Sequence, residues 1–131
     1  MKKSQPELVV RTEKMVYGGQ ALARADHFVV FVDDALPNET VRALIYKKKK
    51  QFAFGRAVEI LEAAPERIPS DCPWTGDCGG CTFRHCAYPA QLRFKKEVLV
   101  EALHGVPGAP ELVRDVVPAE QTQDYRNKMV F

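Results

Sequence analysis

Phe28-Val29-Val30-Phe31-Val32 is an unbroken run of β-branched and aromatic side chains, and it reads as a strand buried on both faces. Just before it, Asp26-His27 falls where a two-residue hairpin turn belongs. The second position of such a turn favours Gly, so His27 is expected to carry a cost there. Further upstream, Tyr17-Gly18-Gly19-Gln20-Ala21-Leu22-Ala23-Arg24 opens on a Gly pair, which permits a bulge or a tight bend. Leu8-Val9-Val10-Arg11 reads as the first strand, with charges following at Glu13 and Lys14. Downstream, Asp33-Asp34-Ala35-Leu36-Pro37-Asn38-Glu39 is a loop rich in turn formers. Val41-Arg42-Ala43-Leu44-Ile45-Tyr46 alternates as a strand does, and Phe52-Ala53-Phe54-Gly55-Arg56-Ala57-Val58-Glu59-Ile60-Leu61 returns as another. Short strands with turns between them and no helical period predict a mainly β module, an OB-like small barrel.

Between the last two strands stands Lys47-Lys48-Lys49-Lys50. Four adjacent like charges repel one another, so stability does not account for them. Phosphates relieve that repulsion, because each neutralised phosphate releases condensed counterions. The competing explanation is a solvated hairpin tip kept basic to prevent edge pairing. Charge distribution favours the first: residues 1–60 hold 11 Lys and Arg against 7 Asp and Glu, and residues 61–131 hold 8 against 10. Lys47, Lys48, Lys49, Lys50, Arg24 and Arg42 are therefore the candidate RNA-binding residues. Phe52 and Phe54 offer stacking faces, although aromatics at alternate strand positions commonly belong to a core.

The chain has 131 residues, enough for one moderate core or two small modules. No run approaches the roughly 18 apolar residues of a membrane span, and no apolar h-region follows the basic N-terminus. A cytoplasmic, membrane-free and monomeric protein is expected. In a reducing compartment its four cysteines read as metal ligands or reactive thiols rather than disulfides.

Three of those thiols fall in Cys72-Pro73-Trp74-Thr75-Gly76-Asp77-Cys78-Gly79-Gly80-Cys81, beyond a two-proline connector at 63–71. The C-x2-C element alone suits zinc or an iron–sulfur cluster. Two features favour iron–sulfur. Gly79 and Gly80 let the backbone wrap a bulky inorganic core and aim bare N–H groups at its sulfurs. Zinc sites, moreover, more often use two short arms separated by a longer gap. Cys72, Cys78 and Cys81 are the expected ligands of a 4Fe-4S cluster. Cys86 reads as a small buried hydrophobe and His85 as a structural histidine. A thioredoxin-like redox motif would need a βαβ context, which is not visible.

Residues 88–105 predict a helix, with Pro89 in its first turn, Gly105 just past its end, and Leu92, Leu99 and Leu103 on one face. His104 would complement the helix dipole. Leu112-Val113-Arg114-Asp115-Val116-Val117-Pro118 suggests a strand, and Tyr125-Arg126-Asn127-Lys128-Met129-Val130-Phe131 the beginning of another.

Taken in order, these pieces resemble the N-terminal part of the SAM-dependent RNA uracil-C5 methyltransferases, the iron–sulfur type with a TRAM domain. The β module carries the resemblance through residues 18–24, Val29-Val30-Phe31-Val32, Ala35-Leu36-Pro37 and Lys49-Lys50. The cluster motif Cys72-x5-Cys78-Gly79-Gly80-Cys81, the helix pattern Tyr88-x-x-Gln91-Leu92-x-x-Lys95 and residues 125–131 complete it. The resemblance implies a TRAM domain at 1–62, a linker at 63–71, a small α+β iron–sulfur segment at 72–105 and the truncated start of a central domain at 106–131. It implies an enzyme that methylates C5 of a uridine in 23S rRNA or tRNA, with S-adenosylmethionine as donor. In that family a cysteine thiolate adds to C6 and a carboxylate later removes the C5 proton. Both groups, and the fourth cluster ligand, are expected beyond this chain, which alone is expected to be inactive. The alternative is a stand-alone RNA-binding protein with a zinc or iron–sulfur knuckle and no catalysis.

Overall fold

The structure, a computed structural model, describes residues 5–128 and 130. Five strands form first: β1 (Glu7–Met15), β2 (Ala21–Ala25), β3 (Phe28–Asp33), β4 (Thr40–Lys48) and β5 (Phe52–Glu62). They close in the order β1-β2-β3-β5-β4, with β3 and β5 parallel and the other pairs antiparallel. Closure leaves no edge to aggregate. The mainly β, OB-like barrel expected from the sequence is the observed fold.

A narrow barrel has room inside only for compact side chains, and this one is filled by Val10, Ala21, Ala23, Val30, Val32, Val41, Ala43, Ile45 and Ala53. That requirement corrects the reading of the opening run. Val30 and Val32 are fully buried and Phe28, on the same face, packs against the barrel core, while Val29 and Phe31 face outward and are half-covered, so β3 is buried on one face only. The two-residue turn at Asp26-His27 is present, with Ala25 paired to Phe28. Its positive φ falls on Asp26 (46°) rather than on His27, and Asp tolerates that region, so the expected penalty on His27 does not arise. The Gly pair makes the β1–β2 bend, with φ of 92° at Gly18 and 83° at Gly19. A Cβ on Gly19 would overlap the Thr82 methyl, so this bend sits directly on the cysteine segment.

A second core joins the barrel to the C-terminal half of the chain. Met15 and Leu36 from the barrel pack with Ala64, Cys86, Ala90 and Phe94, with Phe83 and Val98 beside them. The connector at 63–71 is thus docked on the barrel through Ala64 rather than running free. Helix α1 (Tyr88–Ala102) supplies Ala90 and Phe94 to this core. The expected leucine face is not the buried one: Leu99 is 48% exposed, and Ala90, Phe94 and Val98, spaced four apart, face the barrel. Pro89 sits in the first turn as expected, but the helix ends at Ala102 with Leu103 as its cap, so His104 and Gly105 lie past it. His104 Nδ1 still comes within 3.1 Å of the Glu101 carbonyl oxygen.

Among the described residues neither C-terminal strand forms. Residues 109–112 are a short helix, α2 (Ala109–Leu112), and residues 113–118 have no regular structure. Of the stretch 125–131, residues 125–128 are irregular, and Met129 and Phe131 lie outside the described residues. A β-branched run does not become a strand without a neighbour to complete its ladder. The segment folds back on α1 instead: Lys96 pairs with Asp115 at 2.7 Å, and the Ala119 N–H donates to the Tyr88 hydroxyl at 2.8 Å.

Candidate nucleic-acid interface and cysteine knuckle

The β4–β5 hairpin ends in the four lysines, as the sequence suggested. Lys47 and Lys48 close β4, and Lys49 and Lys50 turn the chain toward β5. Among the described residues none of the four pairs with a carboxylate. Lys47 Nζ lies 5.8 Å from the Phe54 ring centre, and Lys48 Nζ lies 5.1 Å from that of Phe28. Both cations are therefore seated on aromatic faces with their charge uncompensated.

Phe28 beneath Lys48 packs against the end of the barrel core, whereas Phe54 beneath Lys47 lies on the outer face. On β5 the pattern is Phe52 out, Ala53 in, Phe54 out, Gly55 in. The parallel register places Phe31 of β3 beside Phe54, and the rings lie 5.5 Å apart at 28°. A bulge between Ile45 and Lys47 sets the adjacent residues Tyr46 and Lys47 on this same outer face. The Tyr46 ring lies 6.4 Å from Phe54 at 20°, and Phe52 meets Phe54 edge-on at 5.6 Å. Tyr46 donates its hydroxyl to Asp33 Oδ2 at 2.7 Å, and Gln20 Nε2 donates to Asp33 Oδ1 at 2.8 Å. Burial, and then the Asp33 carboxylate, push the Tyr46 phenol up to about 12. The ring is thus held neutral and fixed in place.

The two candidate arginines differ from the lysines. Arg24 borders this face next to Val29, but its guanidinium pairs with Glu13 at 3.2 Å. Arg42 lies five residues back along β4 from Lys47 and pairs with Glu59 at 2.5 Å. The structure gathers Lys47 and Lys48 with the aromatic rings; it places Arg24 at the margin and Arg42 away from them.

One feature without a signal in the sequence sets the position of the cysteine segment. Glu39 is fully buried, and Arg67 of the connector meets it with two hydrogen bonds, Nε to Oε1 at 2.6 Å and Nη2 to Oε2 at 2.8 Å. The N–H groups of Leu36 and Ala64 also donate to this carboxylate, at 2.8 and 3.3 Å. Burial would raise its pKa, but Arg67 and these N–H groups outweigh burial and hold it below its ordinary value. From Arg67 the connector runs antiparallel to the end of the cysteine segment: Ile68 N–H donates to His85 O at 3.0 Å, and Ala87 N–H to Glu66 O at 2.8 Å. Glu39 sits in a loop of turn formers, 28 residues from Arg67, and no local pattern signals such a pairing.

The knuckle spans residues 72–86. Cys72 is half-buried, Cys78 and Cys81 are exposed, and Cys86 is buried. Gly80 N–H donates to Cys78 Sγ at 3.4 Å, the amide-to-sulfur contact expected of the Gly pair. Arg84 clamps the segment by donating from Nε to Asp71 Oδ1 at 2.8 Å, which lowers the Asp71 pKa. Among the described residues no three His, Cys, Asp or Glu side chains converge closely enough to hold a metal. The donor set suits a thiolate-bound group in kind, with Cys78 and Cys81 exposed on either side of the Gly pair and Cys72 half-buried before them, while the three are not drawn together here. Cys86 is set apart from them. Burial, and then Glu66, push its thiol up to about 11, and its Sγ donates to the Ala87 carbonyl. It packs as the small hydrophobe the sequence suggested.

Strand order and closure together define a small, five-stranded OB-like β-barrel. Residues 7–58, the greater part of the barrel, match the TRAM domain. Similarity to other proteins extends well past the barrel. An uncharacterised RNA methyltransferase of Thermotoga maritima is 41% identical over 123 residues, 93% of this chain and 28% of that protein. The 23S rRNA (uracil(1939)-C(5))-methyltransferase RlmD of Alkalilimnicola ehrlichii is 42% identical over 96 residues, 72% of this chain and 22% of that protein. The chain spans about a quarter of the length of the curated relatives it matches. A solved structure, the Pyrococcus abyssi tRNA (uracil-54, C5)-methyltransferase with S-adenosyl-L-homocysteine, covers 79% of this chain and 22% of its own at TM-score 0.42 and 20% identity. The resemblance read from the motifs holds: a TRAM domain, with relatives named as RNA methyltransferases. No helix among the described residues is long and apolar enough to cross a membrane.

Proposed function

We propose that this chain is the RNA-binding and cluster-bearing portion of a cytoplasmic RNA uracil-C5 methyltransferase that uses S-adenosylmethionine on 23S rRNA or tRNA. The observation that carries the reading is the lysine tip on a TRAM-like barrel, because four cations without carboxylate partners among the described residues gain most from a polyanion. In this reading Lys47, Lys48, Lys49 and Lys50 hold the phosphate backbone, with Arg24 at the margin of the same face and Arg42 further along β4. The barrel positions RNA, and the methyl transfer belongs to further parts of the enzyme. Cys86 does not serve as the attacking thiol, since burial keeps it protonated at neutral pH. The isolated chain is expected to transfer no methyl group.

Cys72, Cys78 and Cys81 are proposed to ligate a 4Fe-4S cluster, completed by a ligand other than Cys86. Their donor chemistry supports this, as does the Gly80 amide directed at Cys78. The group would add a rigid, thiolate-bound node to a segment that otherwise has little core. Anaerobic purification followed by iron, sulfide and zinc assays tests it. Iron and sulfide in matched amounts, lost in Cys78→Ser and kept in Cys86→Ala, are expected. Zinc without sulfide would favour the alternative of a stand-alone RNA-binding knuckle.

A further inference from the structure

We infer that Arg84 is the counter-cation of the cysteine knuckle: its fixed charge balances the thiolates of Cys72 and Cys81 and so sets how readily a bound cluster accepts an electron. The inference rests on the proposed cluster at Cys72, Cys78 and Cys81, and it assigns a positioning role to a residue that is not a ligand. Arg84 stands three residues past Cys81, and its Nε donates at 2.8 Å to Oδ1 of Asp71, the residue before Cys72. The same guanidinium takes the Cys81 thiol as a hydrogen-bond partner, and Cys72 lies within range of its charge. One side chain thus bridges the two ends of the thiol run.

Stability of the ion pair does not account for this placement. The Arg84 side chain is 28% and that of Asp71 64% exposed, and an ion pair so open to water adds little to folding. The charge has more to act on at the sulfurs. Several thiolates gathered on one group accumulate negative charge, and an added electron increases it. A guanidinium, charged at every physiological pH, offsets that increase, and local charge and hydrogen bonds to sulfur are what set a cluster's potential. The surroundings agree in sign. A hollow of about 820 Å³ opens against Gly80 and Cys81, and the charged side chains lining it are Arg84, Lys95 and Arg126 against Asp71 and Asp124. Arg126 Nη2 donates at 3.2 Å to the carbonyl of Gly80, between Cys78 and Cys81 in the chain. Of these three cations Arg84 is the one that reaches a thiol, so its charge weighs most on the cluster.

Anaerobic reconstitution of the chain with ferrous iron, sulfide and excess small thiol, followed by mediated titration with dithionite, reads the potential. Native chain, Arg84→Gln, Arg84→Lys and Asp71→Asn are compared at matched iron and sulfide content. Removing the cation in Arg84→Gln should disfavour the reduced cluster roughly tenfold, a fall of about 59 mV for a one-electron couple. Arg84→Lys keeps the charge and should hold most of the native value. Asp71→Asn removes the opposing carboxylate and should move the potential upward. A mere clamp on Asp71 predicts instead that Arg84→Gln and Asp71→Asn shift it alike, because each breaks the same pair. Loss of iron and sulfide from Arg84→Gln alone, with Arg84→Lys and Asp71→Asn still loaded, would equally support the inference. An unchanged potential in Arg84→Gln, or shifts of one sign in Arg84→Gln and Asp71→Asn, would overturn it and leave the cluster reading in place. A native chain that retains no iron and sulfide would overturn both.

Discussion

Replacing Arg67 by methionine removes both hydrogen bonds from the guanidinium to Glu39 while keeping most of the side-chain volume. The carboxylate remains fully buried, with only the Leu36 and Ala64 N–H groups as partners. Two bonds to a charged group contribute roughly 1.5–3 kcal/mol each, and breaking a buried pair costs about 3–5 kcal/mol. The two routes agree on about 3–5 kcal/mol. For a domain whose whole stability is roughly 5–15 kcal/mol, that is a severe loss, and at about 4 °C per kcal/mol it lowers the melting temperature by about 12–20 °C. The pH dependence gives the sharper signature. In the native chain the Glu39 pKa is lowered, so its contribution is present above the ordinary carboxylate range and is lost as pH falls through the lowered value. Without Arg67 burial dominates and the carboxyl takes up a proton at higher pH, so the gap between variant and native chain should narrow toward about pH 4. Urea unfolding at about pH 7 and about pH 4, with the Arg67→Met/Glu39→Leu double variant as a control, measures this. The double variant should recover much of the loss. A cost below about 1 kcal/mol, equal at both pH values, would refute the reasoning.

Gly19→Ala places a methyl on a residue at φ 83° and against the Thr82 side chain, so a loss of at least about 1–3 kcal/mol is expected by thermal unfolding. Cys86, raised to about 11, should resist iodoacetamide at about pH 8 in the folded apo-chain, while Cys78 and Cys81 react within the same period, as read by mass spectrometry. Tyr46 should stay un-ionised to about 12 by ultraviolet titration. Because its folded value is raised, its stabilising contribution is present below the ordinary tyrosine pKa of about 10 and disappears as pH rises through about 12.

The strands were legible because β-branched runs alternate with turn residues, and the barrel followed from their number and spacing. The orientation of the aromatics was not. Phe52-Ala53-Phe54-Gly55 reads on its own as large residues inward, and only the tight interior of a closed barrel reverses that. The buried face of the helix also differed from the leucine pattern, because the second core with Met15 and Leu36 receives Ala90 and Phe94 while Leu99 stays exposed. The stretch 112–118 has strand propensity without a partner, and propensity alone does not form a sheet. Of the candidate site, the lysine tip and the three-thiol knuckle were visible as local clusters. The Glu39–Arg67 pair that ties knuckle to barrel joins residues with no local signature at either end.

The salt dependence of RNA binding tests the central claim most directly. Oligouridine affinity measured from low to physiological salt should fall steeply for the native chain, with a log–log slope of about 0.7 per phosphate neutralised. Changing Lys47, Lys48, Lys49 and Lys50 together to Ala should weaken binding and flatten that slope by up to about 3. An unchanged affinity and an unchanged slope would contradict the account and leave the lysines as a solvated hairpin tip.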